Sequence, residues 1–277
     1  MTSPERWPKL TEYQNNPGQV TAITVSYNTL ELTALLLYSL WQVLDWPAFD
    51  GVVIIDNGST DGSRELLIEL DRAGLCTLLA NSDNVMHGPA LNQAITYLAA
   101  RTRDRKTGPE WIWVLDSDCV VVRPETLTEA LAAVLPCQTA IVGEDQWDPW
   151  HATYRFGTHC LLLNPAIVWR DPVEMFTPGG DPSFELLRSA QQTGLRSDEF
   201  PFLAEMYIIH RGRGTLAAVR SRDEQTNPLY KWAADHHEPH FNHIPGAAGR
   251  YQDLYTEFRT YVPNLTADEI VAACSRR

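Results

Sequence analysis

Trp111-Ile112-Trp113-Val114-Leu115-Asp116-Ser117-Asp118 decides how the rest of this chain is read. Five large apolar residues make a run of strand length, and the run stops on two carboxylates. A short apolar run rich in β-branched and aromatic residues reads as a buried strand. In an extended chain, residues i and i+2 share a side. One turn can therefore aim Asp116 and Asp118 at a single hard cation whose other ligands are phosphate oxygens. Closing a buried strand on two neighbouring negative charges is unfavourable unless a cation or hydrogen-bond donors offset them. The alternative is a solvated strand end, since Asp and Ser are good turn formers.

Upstream of this stretch, strand and helix signals alternate. Gln19–Ser26 reads as a strand, and Leu30–Leu44 as a helix with Leu32, Leu35, Leu36, Leu40 and Val43 on its apolar face. Gly51–Ile55 is a second strand. Asp61 is placed to cap a helix through Leu70, which Gly74 ends. Leu75–Ala80 is a third strand, Pro89–Arg101 a helix with Pro in its first turn, and Pro124 opens a helix over Glu125–Leu135. This order predicts an α/β fold: a mostly parallel central sheet with helices on both faces. Such sheets bind ligands beyond the carboxyl ends of their strands. The polar clusters fall at those ends, at Ser26–Asn28, Asp56–Ser59, Asn81–Asn84 and Asp116–Asp118. Four loops on one rim make one site.

The second half is less regular. Thr139–Gly143, His159–Leu163 and Met206–His210 read as strands, Asp181–Gln192 as a helix ended by Gly194, and the region around Tyr251–Tyr261 as a helix after aromatic, His- and Pro-rich loops. The formal net charge of −13 argues against nonspecific nucleic-acid or anionic-membrane binding. It leaves a phosphorylated substrate open, because a divalent cation reverses the local field. No signal peptide or apolar run of membrane-spanning length is visible. Five scattered cysteines without a Cys-x-x-Cys pattern fit reduced thiols in a cytoplasmic protein.

Four motifs in order resemble family 2 nucleotide-sugar glycosyltransferases. They are Thr24–Asn28 with Ser39–Gln42, Val52–Ser63, Asn84–Asn92, and Trp113–Asp118, together covering Val20 to about Leu127. The resemblance implies a single GT-A domain over 1–277, Rossmann-like in its sheet. About 19–127 is then the nucleotide-sugar half, and about 128–277 a less regular acceptor-binding half with a C-terminal flap and helix. It implies an inverting mechanism, a divalent cation (Mn²⁺ or Mg²⁺) and a UDP- or dTDP-sugar donor. By motif, Ser26 and Tyr27 border the nucleobase, Asp56 accepts from a base N–H, Asp116 sits by the ribose and metal, Ser117 joins the nucleotide-sugar contacts, and Asp118 ligates the metal. The expected activity is transfer of the sugar to a hydroxyl of a small molecule or glycan. A silent nucleotide-sugar-binding protein is the alternative, and a nucleotidyltransferase a weaker one. The missing membrane segments argue against a processive synthase.

Inversion needs a base opposite the leaving group. The matching stretch is Pro178–Arg188, and Asp181 is the candidate, although Asp before Pro at a helix start is equally an N-cap. The family's usual Glu-Asp pair is absent. Glu185, Asp198 and Glu199 are the substitutes, with Glu144 and Asp145 further off. His210, before Arg211-Gly212-Arg213, is the candidate third metal ligand, and the two arginines suit phosphate or solvent. His87 and Asn92 lie where helix N–H groups suit donor oxygens; His87 either selects the sugar or fills space. His236–His243 reads as a flap over the donor or acceptor rather than a zinc site. Trp147, Trp150, Tyr154, Trp169 and Trp232 are platforms for an acceptor or members of the core. Sugar, acceptor, attacked atom and oligomeric state stay open.

Overall fold

The period-2 side-chain alternation of three strands builds two cores, one on each face of a sheet. The computed structural model describes residues 14–132, 134–135, 138–148, 153–169, 176–177, 182–212, 239, 241 and 244–276. Strands β1 (Gln14–Ser26), β2 (Phe49–Asp56) and β4 (Thr107–Leu115) run parallel and side by side. Val20 and Ala22, Val52 and Ile54, and Trp111, Trp113 and Leu115 face one core. Ile23 and Val25, Val53 and Ile55, and Ile112 and Val114 face the other. A strand buried on both sides is near-continuously apolar, and these three are.

Helices α1 (Leu30–Gln42) and α2 (Ser63–Arg72) contribute to the first core. The last two helices, α7 (Ala247–Tyr261) and α8 (Ala267–Cys274), join them there. Tyr38 donates to Glu257 at 2.9 Å and Tyr255 to Glu31 at 2.6 Å, tying α1 to α7. Helix α3 (His87–Arg105) lays Ala90, Leu91, Ala94, Ile95, Leu98 and Ala99 on the second core. That i, i+1, i+4, i+5 spacing is one face of a helix.

The remaining elements are β3 (Thr77–Ala80), β5 (Cys119–Val121), α4 (Thr126–Ala132), β6 (Thr139–Asp148), β7 (Thr153–Leu163), α5 (Pro165–Val168), α6 (Ser183–Gln192), β8 (Arg196–Glu199) and β9 (Ile208–His210). The seven-stranded sheet has the order β3-β2-β1-β4-β7-β6-β8, and β5 and β9 form a separate antiparallel pair. The parallel pairs are β1–β2, β1–β4, β2–β3 and β6–β8, while β7 runs antiparallel to both β4 and β6. The α/β expectation of a mostly parallel sheet flanked by helices holds. After β3 the chain returns to the other side of β1 to lay down β4. The strand order therefore reverses between β1 and β4, the place where open α/β sheets bind ligands.

Several boundaries differ from the expectation. The first strand starts at Gln14 rather than Gln19, and Gly62, at φ 97°, is the N-cap of α2. Asp61 acts one residue earlier, accepting from Ser63 N at 3.0 Å. Helix α3 runs two residues earlier and four later than its apolar pattern. Strands β5 and β8 and helices α5 and α8 carry too few residues for a periodic signal. Trp169 is fully buried in the second core, which resolves its reading towards packing. Among the described residues no helix is long and apolar enough to cross a membrane.

Candidate active site

Backbone register assembles the site. Strand β4 delivers Asp116 and Asp118 at its carboxyl end. The β4–β7 pairing sets Leu115 opposite Cys160, and one residue further on Asp116 N donates to His159 O at 3.2 Å. The β5–β9 pairing sets Cys119 opposite His210, and Arg211 N donates to Asp118 O at 3.0 Å. Two antiparallel registers thus bring a histidine from β7 and another from β9 against the two aspartates. A third, His87, comes from the first turn of α3.

The distances are short. His210 Nε2 lies 3.1 Å from Asp118 Oδ1 and 3.6 Å from Asp116 Oδ2. His87 Nε2 lies 3.3 Å from Asp116 Oδ1. The imidazoles of His159 and His210 stack at 4.8 Å between centroids, 9° from parallel. Asp118 is buried, with 7% of its surface exposed. Burial works to raise the Asp116 carboxyl, but the hydrogen bond and charge of His87, and then the charge of His210, hold it well below the usual carboxylate range. Burial, and next the charge of His210, push His159 down to about 3, against a smaller upward pull from Asp116 and Asp118. His159 is accordingly held in its neutral form.

Ligand atoms of Asp118, Cys119 and His210 lie within 4.8 Å of one another. Octahedral ions bound at about 2.1 Å hold adjacent ligands about 3 Å apart, which the Asp118–His210 spacing matches. Two carboxylates and an imidazole suit Mn²⁺, and the carboxylates suit Mg²⁺. Cys119 does not join them. Its thiol is buried, pushed well up by burial and then by Asp116 and Asp118, and it donates to His159 O at 3.3 Å.

The other three loops reach the same rim through a chain of hydroxyls and amides. Ser26 is fully buried; its hydroxyl lies 3.2 Å from that of Thr29 and 3.1 Å from that of Thr33. Thr29 Oγ1 lies 3.3 Å from Ser117 Oγ, joining the loop after β1 to the loop after β4 across the reversal point. Asn28, at φ 52°, donates from its N–H to Ser59 Oγ at 2.9 Å, and its side chain accepts from Thr60 N at 2.8 Å. Ser59 N in turn donates to Asp56, at 3.3 Å to Oδ1. Asn57 accepts from Val85 N at 3.0 Å and donates to Asn84 Oδ1 at 2.9 Å, fixing the loop before α3. Tyr27 is half-buried beside this network.

Asp56 has no exposed side-chain surface and is paired with Arg64 Nε at 2.8 Å. Asn92 does not turn to the rim. Its amide clips the chain at Phe176, accepting from the N–H at 3.0 Å and donating to the carbonyl at 2.8 Å. Gly88, one turn earlier, lets that segment in: a Cβ there would sit 2.0 Å from Thr177 O.

Asp181, Arg213 and the candidate flap residues 236–238, 240, 242 and 243 lie outside the described residues, as do Trp150 and Trp232. Of the substitute bases, Glu185 pairs with Arg188, its Oε2 2.6 Å from Nε. Asp198 accepts from Thr139 Oγ1 and Arg196 Nε at the sheet edge, 2.5 and 2.7 Å away. Glu144 accepts from the backbone of Leu203 and Ala204. Sequence reasoning missed His159 and Arg64. The β4-to-β7 register gives the one signal for His159, as its neighbour Cys160 falls opposite Leu115.

Residues 21–160 match the model of glycosyl transferase family 2. Among solved structures, the mannosyltransferase PcManGT from Pyrobaculum calidifontis, in complex with GDP-Man and Mn²⁺, has a TM-score of 0.51 at 18% identity, covering 98% of this chain and 89% of that one. That likeness is one of fold. S. aureus TarS 1-349 in complex with UDP-GlcNAc has a TM-score of 0.48 at 10% identity, covering 92% and 90%. Glucosyl-3-phosphoglycerate synthase from Mycobacterium tuberculosis has a TM-score of 0.46 at 15% identity, covering 76% and 82%. No curated protein matches by sequence.

Proposed function

Because this chain belongs to glycosyl transferase family 2 and is a glycosyltransferase, we propose that it is metal-dependent and inverting. It moves a sugar from a UDP- or dTDP-sugar to a hydroxyl of a small molecule or glycan. The carrying observation is the meeting of Asp116, Asp118 and His210 at the strand-order reversal, with His210 Nε2 3.1 Å from Asp118 Oδ1. These residues would hold Mn²⁺ or Mg²⁺. The cation, when bound, offsets the negative charge that grows on the departing diphosphate.

The chain's own groups do the rest. Ser117, tied to Thr29, keeps the aspartate turn in place for the ribose side of the donor. Strands lie about 4.8 Å apart, so β2 sits about 10 Å from β4 along the rim. A nucleoside diphosphate anchored at Asp118 spans past the end of β1, where Tyr27 offers a ring face, to the end of β2, where Asp56 marks the base end. His87, held to Asp116 at 3.3 Å, borders the donor's phosphates and sugar. Asp181 is the base that takes the acceptor proton. Of the alternatives, Glu185, Asp198 and Glu144 already have protein partners, which leaves Glu199 and Asp145 as the substitutes. The chain is read as one domain with a donor half over about 19–127 and an acceptor half over about 128–277. Buried free thiols at Cys76, Cys119, Cys160 and Cys274 fit a cytoplasmic setting.

Thermal melts with UDP-, dTDP- and GDP-sugars, with and without Mn²⁺, test this reading. A donor at 100 times its Kd should add about 2.7 kcal/mol. The gain should need the metal for a UDP- or dTDP-sugar. Equal shifts with EDTA and with Mn²⁺ would count against the metal role.

A further inference from the structure

The base end of the rim presents a cation where the resemblance expects an open carboxylate. Asp56 is fully buried, Arg64 Nε lies 2.8 Å from its Oδ2, and Ser59 N is 3.3 and 3.4 Å from its two oxygens. The Arg64 guanidinium therefore stands beside the carboxylate wherever a base approaches it. Arg64 also donates through Nη2 to Asn81 O, so its guanidinium bridges the ends of β2 and β3. Both contacts hold the plane of the fork. Its side chain is 30% exposed, and its hydrogen bonds run through Nε and Nη2.

We propose that Arg64 is the specificity-determining residue for the donor's nucleobase, selecting bases that present a carbonyl oxygen and rejecting those that present an amino group. The proposal rests on the transferase reading above, which puts the base at the end of β2. Guanidinium has N–H donors and no acceptor. Uracil and thymine offer O4, and guanine offers O6; cytosine and adenine place N–H₂ donors at the equivalent positions. A keto base therefore completes the fork, while an amino base sets donor against donor in a half-buried site. The Asp56 carboxylate acts through Arg64: it fixes the guanidinium and offsets its charge.

Calorimetric titration of UDP, dTDP, GDP, CDP and ADP, each with Mn²⁺, tests this. The parent should bind the keto-base diphosphates on the order of 5- to 100-fold more tightly than CDP and ADP. Arg64→Lys keeps the ion pair but loses the planar fork. It should bring the UDP-to-CDP ratio close to one while binding stays metal-dependent. Asp56→Asn/Arg64→Leu removes both charges together and should do the same, with circular dichroism confirming the fold. Metal-dependent binding of all five diphosphates with equal affinity overturns the proposal alone. A parental UDP-to-CDP ratio in Arg64→Lys does so too. No metal-dependent binding of any diphosphate overturns the transferase reading and this proposal with it.

Discussion

Part of the acid sensitivity of the metal-free protein should come from one imidazole, and His159→Phe should remove that part. Only 8% of His159 is exposed, and burial with the charge of His210 lowers it from 6.5 to about 3. Its folded pKa is depressed, so the unfolded chain takes up the proton first. Stability is then whole above pH 6.5 and falls as the pH drops, until the folded state also binds the proton near pH 3. At pH 5, about 1.5 units below the ordinary value, the loss is about 2 kcal/mol. For a chain of this size that lowers Tm by about 3–4 °C. Phenylalanine keeps a flat ring against His210 and has nothing to protonate. The rest of the cluster is common to both proteins, so the difference between the two curves reports on the imidazole at 159. The measurement is a series of melts in EDTA from pH 8 to pH 5. Parallel curves for parent and variant would show that His159 is not a buried neutral imidazole, and the reasoning would fail.

Asp118→Asn should leave the fold intact and abolish the Mn²⁺ dependence of UDP binding, read by calorimetry with and without EDTA; parental metal dependence would move the ligand role elsewhere. Asp181→Asn should lower kcat by about 10²- to 10⁴-fold with donor Kd unchanged. Unaltered turnover would pass the base to another carboxylate, and Glu185→Gln would be measured next. Asn92→Ala strands the Phe176 N–H and carbonyl at once and should cost about 2–5 kcal/mol in a urea melt; a loss within 0.5 kcal/mol would mean water replaces the amide.

The first half of the fold was legible because its strands are buried on both faces and its loops carry the punctuation of Asp, Asn, Gly and Pro. Val52–Ile55 and Trp111–Leu115 have no other use than a two-sided core, and both are central strands. The convergence of Asp56, Asp116 and Asp118 on one rim follows from parallel strand order alone. What could not be read is pairing across antiparallel registers. His159 sits beside Asp116 because β7 doubles back on β4, and no local pattern states that register. Arg64 was invisible for another reason. In the sequence it is one helical Arg among many, and only the α2-to-β2 packing turns it onto Asp56. Asn92 holds a contact its motif position did not suggest: its amide hydrogen-bonds backbone 84 residues away.

Helix α3 has a mechanical consequence. Its first turn holds His87 against Asp116, and its second grips Phe176 through Asn92, with Gly88 between them admitting Thr177. The two grips sit one helical turn apart on the same rod, so a shift of its first turn is felt at both. Substitutions further along this rod, at Tyr97 against the second core or at Thr96, whose hydroxyl donates to Asn92 O, act on both grips at once.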